Sequence, residues 1–354
     1  MWRPYGLSRY GLPCHPQLRY DELFSSWLLR LAWANRLKVH SLCVTLAGNQ
    51  AAVWNRDIDR QLPIWLQYEL EKLTGVPASR IEGAGLEGIA SALNGHIPNK
   101  NGFETWLLPL GIWHRKRRRF GVQYCPLCFY SESGQYVRRA WRLGFYTECE
   151  HHRVLLRDRC HLCGAPFMYF RAELGHRERI DGASMCACFK CGAALYQAPA
   201  ERFDWPQLEH ALVVRTLLFM KDFGWAAIQN QVFPQSASLF GVLRQFIAIM
   251  SSDGPYGQLY DAVAEQIWLD GYRVLSQRGL IYELRGVEER HRLFGMAVWL
   301  MMDWPHRFRG ALHASGVGCY SMVQGFRIDP PDWYAAEYKF HLMRSKNMRG
   351  KAVC

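Results

Sequence analysis

Four short knuckles carry the residues best suited to chemistry. Cys125-Pro-Leu-Cys128 is followed, after twenty residues, by Cys149-Glu-His-His152. Cys160-His-Leu-Cys163 comes next, and Cys188-Phe-Lys-Cys191 stands twenty-four residues further on. A gap of two residues lets both donors of one knuckle face the same ion. Consecutive knuckles then pair into two four-donor sites, Cys125, Cys128, Cys149 and His152 in the first, Cys160, Cys163, Cys188 and Cys191 in the second. Thiolates and imidazoles in a closed tetrahedron suit structural Zn2+, so two structural zinc ions are expected as the cofactors. His151 in place of His152, or Cys186 in place of Cys188, breaks the two-residue gap. Gly164 and Gly192 follow two of the knuckles, where a tight turn brings backbone N–H groups toward the sulfurs. A catalytic zinc keeps an open position beside a general base, and neither site leaves one. Zinc binding is expected to hold together a segment with little hydrophobic core of its own.

A basic run, His114-Arg-Lys-Arg-Arg-Arg119, lies just before the first knuckle. The 354-residue chain has a formal charge of +12. Between Arg115 and Lys190 there are 15 Lys or Arg against 7 Asp or Glu, so +8 of that excess sits on the knuckle segment. Arg outnumbers Lys and alternates with aromatic residues, which suits bidentate contact with phosphate. The candidate nucleic-acid contacts are Arg115, Lys116, Arg117, Arg118, Arg119, Arg138, Arg139 and Arg142.

Enzyme signatures are missing: there is no P-loop, no G-x-G-x-x-G, no H-E-x-x-H and no G-x-S-x-G. Asp57 and Asp59 form the one tempting acidic pair, and their spacing better suits stapling a loop than binding metal. A non-enzymatic binding protein is the expectation. Eight of the 12 Cys fall between Cys125 and Cys191, which in a chain without a visible signal peptide points to metal rather than disulfides. The longest uncharged apolar run of the C-terminal half, Leu293 to Met302, is too short for a bilayer. A soluble cytoplasmic protein without membrane contact follows as an expectation.

The elements that position these residues are mainly α with small zinc ribbons. Three zones are expected: an N-terminal helical domain with a helix-turn-helix-like segment (1–112), a tandem zinc-finger domain with the basic patch (113–200), and a C-terminal helical domain (201–354). In the first zone a helix is predicted over 21–36 with Asp21 as N-cap, and a second from Val39 to Ala47, stopping at Gly48 and Asn49. Leu66, Leu70 and Leu73 make a stripe ending at Gly75, and Pro77 opens a helix containing Ile81. That is helix-turn-helix grammar, shared by ordinary αα-corners. With Arg80 its one cation and Glu82 beside it, the second helix is poorly equipped to read a major groove. In the last zone helices are predicted over 208–220, 240–250, 259–276 and 288–302.

Several stretches carry a family resemblance. They are HPQLRYDELFSSWLLRLAWAN in the opening segment, VWNRDIDR at Val53–Arg60, the LTGV turn, WLLPLG, QYCPLC, RRAWRLGFYTECEHHRVLLRDRC, CHLCGAPF and CFKCGAAL. With them the chain resembles the TniQ family, TnsD-like target-selection proteins of bacterial transposons, over roughly residues 13 to 195. WLMMDWPHRF at Trp299–Phe308 resembles the helical C-terminal part of some members. One departure is His151 beside His152: the family more usually shows one His followed by Gly, so His152 is expected to keep its role while Arg153 alters the turn.

The resemblance implies an adaptor joining a target-recognition element to the AAA+ regulator TnsC, which recruits the transposase. It also implies a homodimer. Recognition would run through a CRISPR effector, Cascade with its guide RNA, or through attachment-site DNA, and the short C-terminal zone tilts the expectation to the guided mode. The competing readings are a sequence-specific zinc-finger and helix-turn-helix DNA-binding protein that reads an attachment site directly, and a zinc-dependent nuclease or transposase.

Overall fold

A computed structural model describes residues 12–47, 57–99, 102–173, 183–220, 226–229, 231–233, 236–252, 258–269, 275, 277, 279–323, 326 and 329–351. Its backbone contacts divide the chain into two units, residues 1–91 with 96–202 and residues 92–95 with 203–354. Twelve α-helices against two short hairpins among the described residues make the protein mainly α.

In the first unit α1 (Phe24–Ala34) buries Phe24, Trp27, Leu28 and Leu31, the stripe its helical period dictates. It starts later than residue 21, and Asp21 does not cap it. The N-cap position is Leu23, without a side-chain cap. The preceding chain is extended because it pairs with a distant segment: Leu23 N donates to Val137 O at 2.9 Å and Arg139 N to Asp21 O at 2.8 Å. The Asp21 carboxylate accepts from Tyr136 Oη at 2.6 Å and pairs with Arg138. Tertiary pairing has overridden the local cap.

The next helix, α2, spans Val39–Ala47. Its expected stop at Gly48 and Asn49 lies outside the described residues. Then α3 (Ile64–Thr74) ends on Gly75 at φ +70°, whose N–H donates to Glu71 O at 2.8 Å. That left-handed position favours glycine. Pro77 sits at the N-cap of α4 (Ala78–Gly83). Leu66, Leu70 and Ile81 are buried, and Leu73 is half-buried. The six-residue α4 is short, and its Arg80 donates to Leu18 O at 2.8 Å. After α5 (Glu87–Asn94) comes a hairpin, β1 (Ile112–Trp113) with β2 (Arg118–Arg119), in the register Ile112↔Arg119 and Trp113↔Arg118.

The knuckle segment has one short helix, α6 (Pro126–Tyr130), and single bridges such as Tyr124↔Arg157 and Glu148↔Leu155. The expectation of little hydrophobic core is not met. Tyr124 stacks on Phe129 at 5.4 Å, and Trp141 and Phe167 meet Phe129 edge-on at 5.4 and 5.8 Å. All four rings are buried. Aromatic residues deliver large buried area from a short sequence, so a segment without long helices still builds a core.

The second unit contains α7 (Leu208–Leu218), the hairpin β3 (Ala226–Ile228) with β4 (Gln231–Phe233), α8 (Ser236–Met250) and α9 (Gln258–Gln266). It continues with α10 (Val287–Met301), α11 (His306–Ser315) and α12 (Asp332–Lys351). The period predicted α9 to run to 276, whereas it ends at Gln266. Trp268 takes φ +55° and Leu269 N closes the end on Ala264 O at 3.2 Å.

Nearly all of α10 is buried, with α7, α8, α9 and α11 packed around it. Such a helix sits at the centre of a bundle. Its polar residues are paired: Arg290 Nε donates to Arg285 O at 3.1 Å, and Tyr282 Oη to Arg290 O at 3.1 Å. No helix of the described residues is long and apolar enough to cross a membrane.

Candidate metal centres and basic face

Local backbone geometry aims the sulfurs. Cys125 is extended at the N-cap of α6, Pro126 occupies the first turn, and Cys128 follows one turn on. The other three knuckles share one turn. In each, the N–H four residues after the first Cys returns to that cysteine's carbonyl: Arg153 to Cys149 O at 2.9 Å, Gly164 to Cys160 O at 3.0 Å, Gly192 to Cys188 O at 2.9 Å. Each turn residue is left-handed, at φ +54°, +66° and +74°. Arg153 therefore does not alter the turn, contrary to expectation. It adopts the glycine conformation, at a cost of about 1–2 kcal/mol for an L-residue.

These turns close two clusters. In the first, His152 Nδ1 lies 3.6, 3.4 and 3.5 Å from the sulfurs of Cys125, Cys128 and Cys149, and Cys128 Sγ is 3.6 Å from Cys149 Sγ. In the second, Cys160 Sγ to Cys191 Sγ and Cys163 Sγ to Cys188 Sγ are each 3.7 Å. All donor atoms of each cluster fall within 4.8 Å of one another. A tetrahedron with Zn–S bonds of about 2.3 Å has edges of about 3.8 Å. The donor sets therefore fit zinc in size as well as chemistry. Zinc held by these residues would staple the surrounding turns, and four protein donors close each tetrahedron.

Backbone amides reinforce the thiolates. The Ala165 amide reaches Cys163, those of Lys190 and Cys191 reach Cys188, and that of Ala193 reaches Cys191. The alternatives separate cleanly. His151 is half exposed, 3.6 Å from Glu150, and outside the cluster. Cys186 is likewise outside it, a buried thiol whose pKa burial pushes up to about 12.

The basic run forms the β1–β2 hairpin. Arg115, Lys116 and Arg117 occupy its exposed tip, and Arg118 is exposed on β2. Among the described residues no carboxylate pairs with any of the four. Arg119 is half-buried and donates to Leu110 O at 3.0 Å.

The remaining three candidates lie elsewhere, and Arg142 is a correction. It is fully buried, and its guanidinium bridges Asp57 and Asp59, with Nη1 donating at 3.0 and 3.2 Å and Nε donating to Leu108 O at 3.1 Å. Asp59 also accepts from Ser25 N at 2.8 Å and Ser25 Oγ at 2.7 Å, and that hydroxyl meets Tyr169 Oη at 2.6 Å. Burial raises the Asp59 pKa above the usual carboxylate range, against the pull of Arg142. No donor of Arg142 is left to face a nucleic acid. It is the centre of a buried polar network, and the Asp57 and Asp59 pair staples the core. Arg138 is held by Asp21 and Tyr136. Arg139 is tied to the carbonyls of Gly83 and Tyr20.

Neither Trp113 nor Arg171 stands out in the sequence as a site residue. The ring of Trp113 receives Arg118 Cζ and Lys190 Nζ, each at 4.5 Å from its centroid. Arg171 Nη1 donates to Trp113 O at 3.2 Å. Lys190 belongs to the last knuckle, so the hairpin and the second metal cluster share one surface.

Comparison with known proteins agrees with the residues. The family model described as TniQ matches residues 13–156, a span that contains the whole first cluster and the hairpin and ends before Cys160. No curated protein matches the chain. Residues 13–156 are thus a TniQ domain, the part of the chain that the family model covers.

Proposed function

We propose that this protein is a non-enzymatic target-selection adaptor in DNA transposition. It would link a target-recognition complex, Cascade with its guide RNA or attachment-site DNA, to the AAA+ regulator TnsC and through it to the transposase. The observation that carries this reading is a TniQ domain that contains both a Cys3His cluster and a hairpin of exposed cations without carboxylate partners. Such a module suits holding nucleic acid or nucleoprotein against protein partners. The adaptor works as a homodimer in the cytoplasm.

Co-purification tests the reading. The full chain should capture TnsC and either Cascade or target DNA, and transposition should fall when Arg117→Glu and Arg118→Glu are combined. Capture of neither partner, with transposition independent of the chain, would overturn it. Tight binding of the isolated protein to one DNA site would favour the direct reader over the Cascade-bound adaptor.

A further inference from the structure

Among the described residues of the first unit six aromatic rings carry a cation, Trp113, Phe103, Phe120 and Phe189 among them. Arg118 and Lys190 sit on Trp113, and Arg119 lies 5.7 Å from the centroid of Phe103. Arg159 lies 3.8 Å from Phe120, and Arg171 5.5 Å from Phe189. Arg159 is partly neutralised by Asp158 at 2.7 Å. Among the described residues, Arg115, Lys116, Arg117, Arg118 and Lys190 are exposed cations without a carboxylate partner. They come from two segments far apart in sequence that meet at Trp113.

We infer that the β1–β2 hairpin and the Cys188–Cys191 knuckle form one composite surface that grips duplex DNA by its phosphates, without reading bases; this rests on the nucleic-acid-facing role proposed above. Proteins that hold single strands offer open aromatic faces on which unstacked bases lie. Here each of Trp113, Phe103, Phe120 and Phe189 already carries a cation, so these rings serve to fix the cations in place. A fixed array of Arg and Lys suits the regularly spaced phosphates of a duplex. Lys190 is carried on the turn that presents Cys188 and Cys191, so the second metal cluster sets the Lys190 end of the array. Trp113 is a positioning residue, acting through Arg118 and Lys190.

The test uses the full, zinc-loaded chain with a mixed-sequence DNA duplex and its single strand, from about 50 to 200 mM salt. Duplex binding should be tighter than single-strand binding. Its log K should fall with log salt at a slope of about −4 to −5, as five phosphate contacts at about −0.9 each require. Lys190→Ala and Arg118→Ala should each make the slope shallower by about one without changing zinc content. Trp113→Leu should weaken duplex binding several-fold although no charge is lost, and Trp113→Phe should restore most of it.

Tighter binding of the single strand, weakened by Trp113→Leu, would overturn the inference and leave the nucleic-acid role standing. So would duplex binding that ignores Lys190→Ala and Arg118→Ala. Absence of binding to either DNA would remove the composite surface, while capture of TnsC would still decide the adaptor reading separately.

Discussion

Around His152, three sulfurs crowd one imidazole nitrogen. Around Gly295, on the central helix of the other unit, an indole ring fills the place of a side chain. A Cβ there would lie 2.1 Å from Trp205 Cζ2. These two spots show how differently the two units are built. The first unit has short helices, single bridges, a buried Arg142–Asp57–Asp59 network and two clusters of metal donors. The second wraps longer helices around the buried α10 and has no metal-donor cluster among the described residues. Where secondary structure is sparse, donors far apart in sequence must be pinned by something stronger than packing. Where a helix can be buried on all sides, shape complementarity suffices. The unit with the two clusters of possible metal donors is also the one that displays the cationic hairpin.

The largest expected effect separates the units by metal. Chelation, or Cys128→Ser with Cys163→Ser, should unfold the first unit, because structural zinc contributes about 10–16 kcal/mol to such folds. The second unit's melting transition should persist in calorimetry. Simultaneous loss of both transitions would break the comparison.

Next is Arg142→Met. Removing one partner of a buried ion pair costs about 3–5 kcal/mol, so the first unit's denaturation midpoint should drop sharply. The exposed pair Arg117→Glu and Arg118→Glu should leave that midpoint nearly unchanged.

Acid should act on the second unit through two histidines. Burial pushes His210 down to about 4 and His291 down to about 3. His291 Nε2 accepts from Trp205 Nε1 at 3.1 Å, a bond that its protonation would break. The unfolded chain binds protons near pH 6.5 and the folded unit does not, so the stabilisation is complete above that value and is lost as pH falls toward 4. Roughly 3 kcal/mol should go through His210 alone. Denaturation of a fragment-free, full-length sample followed at several pH values reads it, and a flat profile between pH 6.5 and 4 would contradict the buried, neutral assignment.

Gly295→Ala should cost the second unit about 1–3 kcal/mol by overpacking against Trp205. The smallest effect has the opposite sign. Arg153→Gly should stabilise the first unit by about 1 kcal/mol, relieving the left-handed strain in the His152 turn. Both are read as midpoint shifts in thermal unfolding.

The metal donors were legible in sequence because a two-residue gap is a local constraint, enough to prefer His152 over His151 and Cys188 over Cys186. Helices such as α2 and α10 were legible from apolar period alone. Arg142 was not, because it reads as one more cation in a basic stretch. Its burial depends on Asp57 and Asp59, which lie 85 and 83 residues away. Asp21 failed likewise, since pairing with Val137 and Arg139 displaced the start of α1. Trp113 carried no signal, because its partner Lys190 arrives from a different knuckle. Local geometry can be read from spacing, whereas the fate of a charged side chain is decided by what the fold brings to it.

Metal content of the purified full-length chain tests the central claim most directly. Elemental analysis should find about two zinc ions per chain, falling to about one in Cys163→Ser with the Cys125–His152 cluster still loaded. A folded chain with no zinc, or with one that Cys163→Ser and Cys128→Ser remove equally, would contradict two independent structural clusters and the platform built on them.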